Sequence, residues 1–378
     1  MTELEFAIEN RRLLHQYPET SMEEIKTTEH VLNFLDALGI SYVRPLATGV
    51  VAYLEGNSER TFAFRADIDA LPIHEESNID FRSRVNGKMH ACGHDGHTTA
   101  LMLFVRRCLA LREKGALVHN VYFIFQPSEE TAAGANQLIH AWTPEYRIEA
   151  IFGVHLMPEE AQGKILLRDG PITASATEYR FYISGESSHV ASKHQGISAI
   201  EVLMHISGQL SQLQHFHLDG LNRNIIHIGH LKAGEAINTV AGSGYLEGTV
   251  RTYDEEDLKI VKTRLELIAE SSEKLFGAGV EVTFNEGYPP VENDDGLRPA
   301  VDRALKQLQF EMIEKDNPYL FGEDFSFYSR LAPSYFIFFG SRNTAKGYTS
   351  SLHTSTFNFD EEILISVADY YESLLNSL

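Results

Sequence analysis

Between about residues 176 and 288 the chain reads strand, helix, strand, strand, helix, strand. No other feature constrains its fold as much. The strands are predicted at 178–184, 224–231, 243–252 and 280–285, and the helices at 196–213 and 255–276. Residues 178–184 alternate apolar and polar, whereas Ile197, Ile200, Leu203, Leu210 and Leu213 recur at roughly helical spacing. A β-α-β-β-α-β block closes on itself as a ferredoxin-like α+β domain. It is therefore expected as an insertion, 176–288, into a host domain made of 1–175 and 289–378. The full length of 378 residues also exceeds one ordinary core.

The flanking segments follow a different rule. Helices are predicted over 4–16, ending near Pro18, and over 20–38, with Ser21 as cap, Ile25, Val31, Leu32 and Leu35 on one face, and Gly39 as the stop. Residues 50–54 and 61–65 read as a strand pair. A helix at 98–113, a buried strand at 120–125, a helix at 132–141 and a strand at 150–154 ending in His155 come next. After the insertion the chain reads helix 296–309, strand 335–339 and helix 360–375. Strands alternating with helices predict an α/β domain with a central mixed sheet flanked by helices. Sites in such sheets gather beyond the carboxyl ends of the strands. Asp67, Asp69, Glu129, Glu130 and His155 all fall at predicted strand ends.

The chemistry concentrates in Met89-His90-Ala91-Cys92-Gly93-His94-Asp95-Gly96-His97. One cysteine, three histidines and an aspartate occupy nine residues, and all bind transition metals when deprotonated. The two glycines let the backbone turn tightly enough for neighbouring side chains to converge. Cys92, His94, Glu130, His155 and His353 are the candidate ligands, each at a strand end or glycine turn of the host domain. Most of the 17 histidines cannot be ligands. His119, His140, His215, His217, His227 and His230 match no closed site. Glu129 and Glu130 follow a strand and Pro127-Ser128, so one can hold metal while the other takes a proton from water.

The formal net charge of -21 argues against nucleic acid or an anionic membrane as partner. With 43% hydrophobic and 22% charged residues, a soluble globular protein is expected. Cys92 and Cys108 are the only cysteines, which excludes a disulfide framework and suggests a reducing, cytoplasmic compartment. Residues 1–5 are acidic without an apolar run, so no secretory signal is expected there, and no membrane span is expected anywhere.

Cys92-Gly93-His94-Asp95-x-His97, Pro127-x-Glu129-Glu130, Gly153-Val154-His155 and Leu352-His353-Thr354 together resemble the N-acyl-amino-acid amidohydrolases. These belong to the metallo-aminoacylase and carboxypeptidase superfamily. The branch is that of hippurate hydrolases, auxin-conjugate hydrolases and N-acetyl-diaminopimelate deacetylases. The segments 65–72, 248–251 and 323–325 extend the resemblance over nearly the whole chain. It implies two divalent transition-metal ions (Mn, Zn, Co or Ni) held by Cys92, His94, Glu130, His155 and His353, with Glu129 as general base. Cys92 would stand where the wider superfamily has a bridging aspartate. Asp67 takes the place of a ligand histidine and is left outside the shell, while Asp69 would support a ligand from behind. Asp95 and His97 would either do the same or organise the loop.

The resemblance makes the insertion a lid and dimerisation domain, so a homodimer or higher homo-oligomer is implied. His189 aligns with a lid histidine that reaches the scissile carbonyl oxygen. Asn238 and Arg251 match positions that hold the carboxylate of an N-acyl amino acid, a task suited to the planar guanidinium fork. Glu186, Ser187, Ser188 and Ser192 depart from the family pattern around that histidine, as does Ser355 after the last ligand. The rival readings are a dipeptidase or carboxypeptidase of the same superfamily, a non-catalytic metal-binding relative, and a cysteine-nucleophile hydrolase using Cys92 and His94.

Overall fold

The computed structural model describes residues 1–221, 223–285 and 287–378. In chain order the elements are α1 (Glu3–Gln16), α2 (Ile25–Ala37), β1 (Tyr42–Val43), β2 (Val50–Leu54), β3 (Thr61–Asp67), α3 (His94–Glu113), β4 (Asn120–Gln126), α4 (Gly134–Ala141), β5 (Ile148–Ala161), β6 (Lys164–Leu167) and β7 (Gly170–Pro171). Then come β8 (Thr177–Ser184), α5 (Ala199–Phe216), β9 (Ile225–Ala233), β10 (Ser243–Arg251), α6 (Glu255–Phe276) and β11 (Gly279–Phe284). The chain finishes with β12 (Glu292–Asn293), α7 (Arg298–Gln307), β13 (Glu311–Glu314), β14 (Ser334–Arg342) and α8 (Ile363–Leu375), with short 3-10 turns between. Among the described residues no helix is long and apolar enough to cross a membrane.

Two compact units result. The first holds Met1–Ile172, Glu292–Asn317 and Asp324–Leu378, and the second holds Thr173–Val291 and Pro318–Glu323. The expected division lay at 175/176 and 288/289 and kept 318–323 in the host. That short segment goes instead with the second unit, where Ala174 N donates to Phe321 O at 3.1 Å.

The first unit is built on a mixed sheet of order β1-β2-β4-β3-β5-β14-β6-β13. β4, β3, β5 and β14 run parallel, while β2 is antiparallel to β4. Every residue of β3 and β4 is buried, as expected for parallel strands covered on both faces. Phe64 of β3 shows how the layers lock. Its ring lies 4.8 Å from Phe104 of α3 and 5.1 Å from Tyr371 of α8, with Phe152 of β5 at 5.5 Å. Burying each such ring stabilises the fold by roughly 1.5–3 kcal/mol.

Two expected elements differ in the fold. β2 and β3 are not a strand pair, because β4 lies between them. Sequence neighbours were separated by a strand that arrives 53 residues later, a choice local pattern does not encode. The second helix starts at Ile25, not residue 20, and Ser21 does not cap it. Met22 has φ +66, Thr20 bridges to Ala70, and the Ser21 hydroxyl donates to Asp69 Oδ2 at 2.6 Å. Tertiary partners thus hold 20–24 as an irregular strap, and Ile25 is exposed rather than part of the apolar face.

The second unit has an antiparallel sheet of order β11-β8-β10-β9, the ferredoxin-like arrangement. On β8, Tyr179, Phe181 and Ile183 point into the core with Leu203, Leu210, Val261 and Leu265 from α5 and α6. Glu178, Arg180 and Tyr182 take the open face. α6 begins where Asp254 accepts from Asp257 N at 2.6 Å and ends at Gly277, whose φ of +69 suits glycine.

Candidate metal centre

The carboxyl ends of β3 and β4 open onto one space in the first unit. Asp67 ends β3 and Asp69 follows it. Pro127 to Glu130 follow β4. Gly93, with φ +90, turns the chain into α3 so that Cys92 before it and His94 after it converge. His155 was expected at a strand end, yet β5 runs on to Ala161. The strand that ends is its neighbour: β3 last pairs with β5 at Arg65 and Gly153, so His155 emerges just past the β3 edge. His353 arrives from the far end of the sequence, with φ +58, tied by its N–H to Ala91 O at 2.8 Å.

These segments bring the five candidate ligands together. Cys92 Sγ lies 3.3 Å from His155 Nε2 and 3.2 Å from His353 Nε2. Glu130 Oε1 lies 3.4 Å from His353 Nε2 and 3.9 Å from His94 Nε2. Cys92, His94 and His155 form one mutually close set of donor atoms, and Cys92, Glu130 and His353 form another. His94, Glu129 and Glu130 form a third. Cys92, His94 and Glu130 each belong to two of these three sets.

The hydrogen bonds select the tautomers. His94 Nδ1 donates to Asp69 O at 2.9 Å, with Asp69 Oδ1 at 3.2 Å, and His155 Nδ1 donates to Leu156 O at 2.7 Å. Both rings therefore direct Nδ1 outward and Nε2 inward, so Nε2 is the atom available to a metal once any proton on it is lost, as in most metal-bound histidines. His94 Nε2 and Glu130 Oε1 are buried with no hydrogen-bond partner. Each orphan of this kind costs about 1–3 kcal/mol unless something satisfies it. A cation satisfies both at once, so the donor set fits a divalent transition metal.

The charges agree. Burial opposes a charge on His94, but Asp67, Asp69 and Glu130 outweigh it and push the imidazole up to about 10. A cluster that grips a proton so firmly is negative enough to grip a metal ion. Burial, then His97, holds His155 well below its ordinary value, neutral and ready to ligate. Burial and then Glu130, Glu129 and Asp67 push the Cys92 thiol well above its usual range. Without a cation the thiolate form is disfavoured, which weighs against the cysteine-hydrolase reading.

Asp69 lies behind both His94 and Glu130: besides its contacts to His94, its Oδ2 accepts Glu130 N at 3.0 Å. Asp95 has other partners. Its bonds run to Arg11 Nε at 2.9 Å and His15 Nδ1 at 2.8 Å, so it neutralises a buried cationic pair between α1 and α3 instead of touching a ligand. His97 accepts from Leu156 N at 3.0 Å and donates to Asp67 Oδ1 at 2.7 Å, which leaves it no lone pair for metal. Asp67 is engaged by Arg65 Nη1 at 2.7 Å as well. Arg65 in turn reaches Asp324 Oδ1 at 2.7 Å, and Asp324 N donates to Glu129 Oε1 at 3.4 Å. Arg65 and Asp324 lay inside family-like segments but carried no local signal of this role. His90 is buried and neutral, pushed down to about 4 by burial, with neither ring nitrogen bonded.

His189, Asn238 and Arg251 belong to the second unit. Ala191 N donates to His189 Nδ1 at 3.2 Å, so Nδ1 is the accepting nitrogen and Nε2 is left to donate, and the side chain is exposed. His189 bridges to Thr239, and the adjoining Val190 N donates to Asn238 O at 2.9 Å. Ser192 N donates to His189 O at 2.8 Å, a bond that a proline at this position would lack. Arg251 ends β10 half-buried beside Gly322. Ser355 ties the His353 loop down, its hydroxyl donating to Glu76 Oε2 at 2.6 Å.

Residues 63–377 match the model of peptidase family M20/M25/M40. An uncharacterised hydrolase of Staphylococcus saprophyticus is 60% identical, aligned over 100% of this chain and 98% of its own. The crystal structure of a dinuclear metal-binding peptidase of the M20 family from Bacillus subtilis superposes with a TM-score of 0.83 at 32% identity, covering 99% of this chain and 97% of its own. A candidate aminohydrolase from methicillin-resistant Staphylococcus aureus superposes with a TM-score of 0.93 at 26% identity, covering 100% and 97%.

Proposed function

This chain belongs to peptidase family M20/M25/M40 and is a hydrolase of that family, and from this premise we propose that it cleaves the amide of N-acyl amino acids. One observation carries the reading: the unpartnered His94 Nε2 and Glu130 Oε1 face a shared space with Cys92, His155 and His353, and Glu129 stands in the same cluster. Cys92, His94, Glu130, His155 and His353 would hold two divalent ions, which supply Lewis-acid activation of the carbonyl and of water. Glu129, nearly buried, accepts the proton of the attacking water as its oxygen bonds to the carbonyl carbon. It then delivers that proton to the amine nitrogen as the C–N bond breaks. Products are a carboxylic acid and a free amino acid. His189, whose Nε2 is left to donate, suits the carbonyl oxygen, and Arg251 and Asn238 suit the substrate carboxylate.

The motifs shared with N-acyl-amino-acid amidohydrolases support this substrate class. The test is a panel of N-acetyl and N-benzoyl amino acids against dipeptides, each with added Mn, Co, Ni or Zn, followed by chelation and re-addition of metal. Faster turnover of dipeptides would replace the reading with a peptidase. No amide cleaved with any metal would point to a non-catalytic relative.

A further inference from the structure

The segment that carries Glu129 and Glu130 does not hold its own shape. Ser128 has φ +59 and Ala133 has φ +48, a region that side chains other than glycine rarely occupy. Gly134 N donates back to Ser128 O at 3.0 Å, and a Cβ on Gly134 would meet Pro127 O at 1.8 Å. Such a curl persists only where the surroundings over-determine it. Three buried carboxylates do so. Asp69 Oδ2 accepts Glu130 N at 3.0 Å, Asp324 Oδ2 accepts Ala135 N at 2.9 Å, and Glu24 Oε1 accepts Ser128 N at 2.8 Å.

Asp69 and Asp324 have other tasks, toward His94 and Arg65. Glu24 is different. It comes from the strap between α1 and α2, it is fully buried, and its second oxygen has no partner. Burying an ionisable group so incompletely satisfied is costly, and the fold gains from it the grip on Ser128 N. The same strap sends Ser21 to Asp69. It therefore touches both walls of the centre, the Asp69 turn and the Glu129–Glu130 loop.

We propose that Glu24 is a positioning residue that fixes the Glu129–Glu130 loop through Ser128 N. This rests on the reading of Glu129 as base and Glu130 as ligand. The role needs an acceptor oxygen at the right reach, not a charge. Glu24→Gln preserves the acceptor, Glu24→Asp withdraws it by one methylene, and Glu24→Met deletes it.

The experiment compares the three variants with the wild-type chain by amide exchange over 127–135, by Mn affinity, and by kcat and KM on any amide the wild type hydrolyses. Glu24→Met should speed exchange in that segment and lower Mn affinity and kcat, each by about 10–100-fold, with KM moved far less. Glu24→Asp should fall between, and Glu24→Gln should stay within about threefold of wild type, well short of an outer-shell loss. If Glu24→Met does not fold, the order of Gln above Asp decides. Wild-type behaviour of Glu24→Met or Glu24→Asp, or an equal loss in Glu24→Gln, would overturn the proposal. If the wild type cleaves no N-acyl amino acid while exchange and Mn affinity follow the expected order, the substrate reading fails and the role of Glu24 stands.

Discussion

His353 Nε2 lies 3.2 Å from Cys92 Sγ across 261 residues of sequence. The contact is held from the backbone as well, since His353 N donates to Ala91 O at 2.8 Å and the residue sits at φ +58. A histidine in the left-handed region costs on the order of 1–3 kcal/mol, and such strain collects at functional sites. The centre is thus closed by two turns, one glycine-based at Gly93 and one strained at His353. Removing donors from it should separate metal binding from chemistry.

Glu129→Gln keeps the size of the side chain and removes the base. Bound metal per chain should be unchanged, while kcat falls by about 10²–10⁴-fold. Metal analysis alongside steady-state kinetics checks this. A rate close to wild type would remove Glu129 from the proton-transfer role.

Cys92→Ser leaves a hydroxyl where Sγ stands between His155 and His353. Metal affinity should fall by more than the about 10–100-fold typical of partners behind the ligands. Isothermal titration with Zn or Mn measures it. In the wild-type chain the same titration should release protons, because His94 is held protonated up to about 10 and Cys92 stays a thiol until metal binds. Affinity should therefore rise with pH across the neutral range.

Asp95→Asn removes the buried anion shared by Arg11 and His15 and leaves them only the longer pairs to Glu361 at 3.4 Å and Glu75 at 3.2 Å. Burial disfavours a charged His15, but Asp95 and Glu75 prevail and hold it above its ordinary value. Breaking such a buried pair from one side costs about 3–5 kcal/mol. Urea unfolding should show this loss, with metal content per folded chain unchanged. Loss of metal at full stability would return Asp95 to the role of a ligand support.

The stability of the chain should carry a signature of Glu24. Burial, with Asp69 adding to it, raises this carboxyl from 4.5 to about 7. The folded chain keeps a proton that the unfolded chain releases between those values. Its contribution to stability is therefore full below pH 4.5 and declines as pH rises to 7. Glu24→Gln removes the decline, so the variant should gain about 3 kcal/mol on wild type between pH 4.5 and 7. Parallel stability curves for the two proteins would contradict it.

Arg251→Lys should raise KM for N-acyl amino acids by about 10-fold with kcat nearly kept, because an ammonium does not reproduce the paired carboxylate contacts of the guanidinium fork. Substrates whose carboxylate is capped as an amide should lose the difference. An unchanged KM would take Arg251 out of carboxylate recognition.

Periodicity determined the clearest of the second unit's elements: Tyr179, Phe181 and Ile183 alternate on one buried face of β8, and α5 and α6 each carry an apolar stripe. Residue chemistry likewise determined which side chains could bind metal, since Cys92, His94, Glu129 and Glu130 stand in short motifs whose composition speaks for itself. Tertiary structure decided the rest. Nothing local placed β4 between β2 and β3, let β5 run past the end of β3 so that His155 emerges, or turned Asp95 toward Arg11 and His15. Nothing local marked Glu24 either, for Glu23-Glu24 reads as part of the first turns of a helix over 20–38 until Ser128 N, 104 residues away, is found on its side chain. The physical reason is common to all four. Apolar periodicity is written within one element, whereas a buried polar group takes whichever partner the packing of other elements brings within about 3 Å.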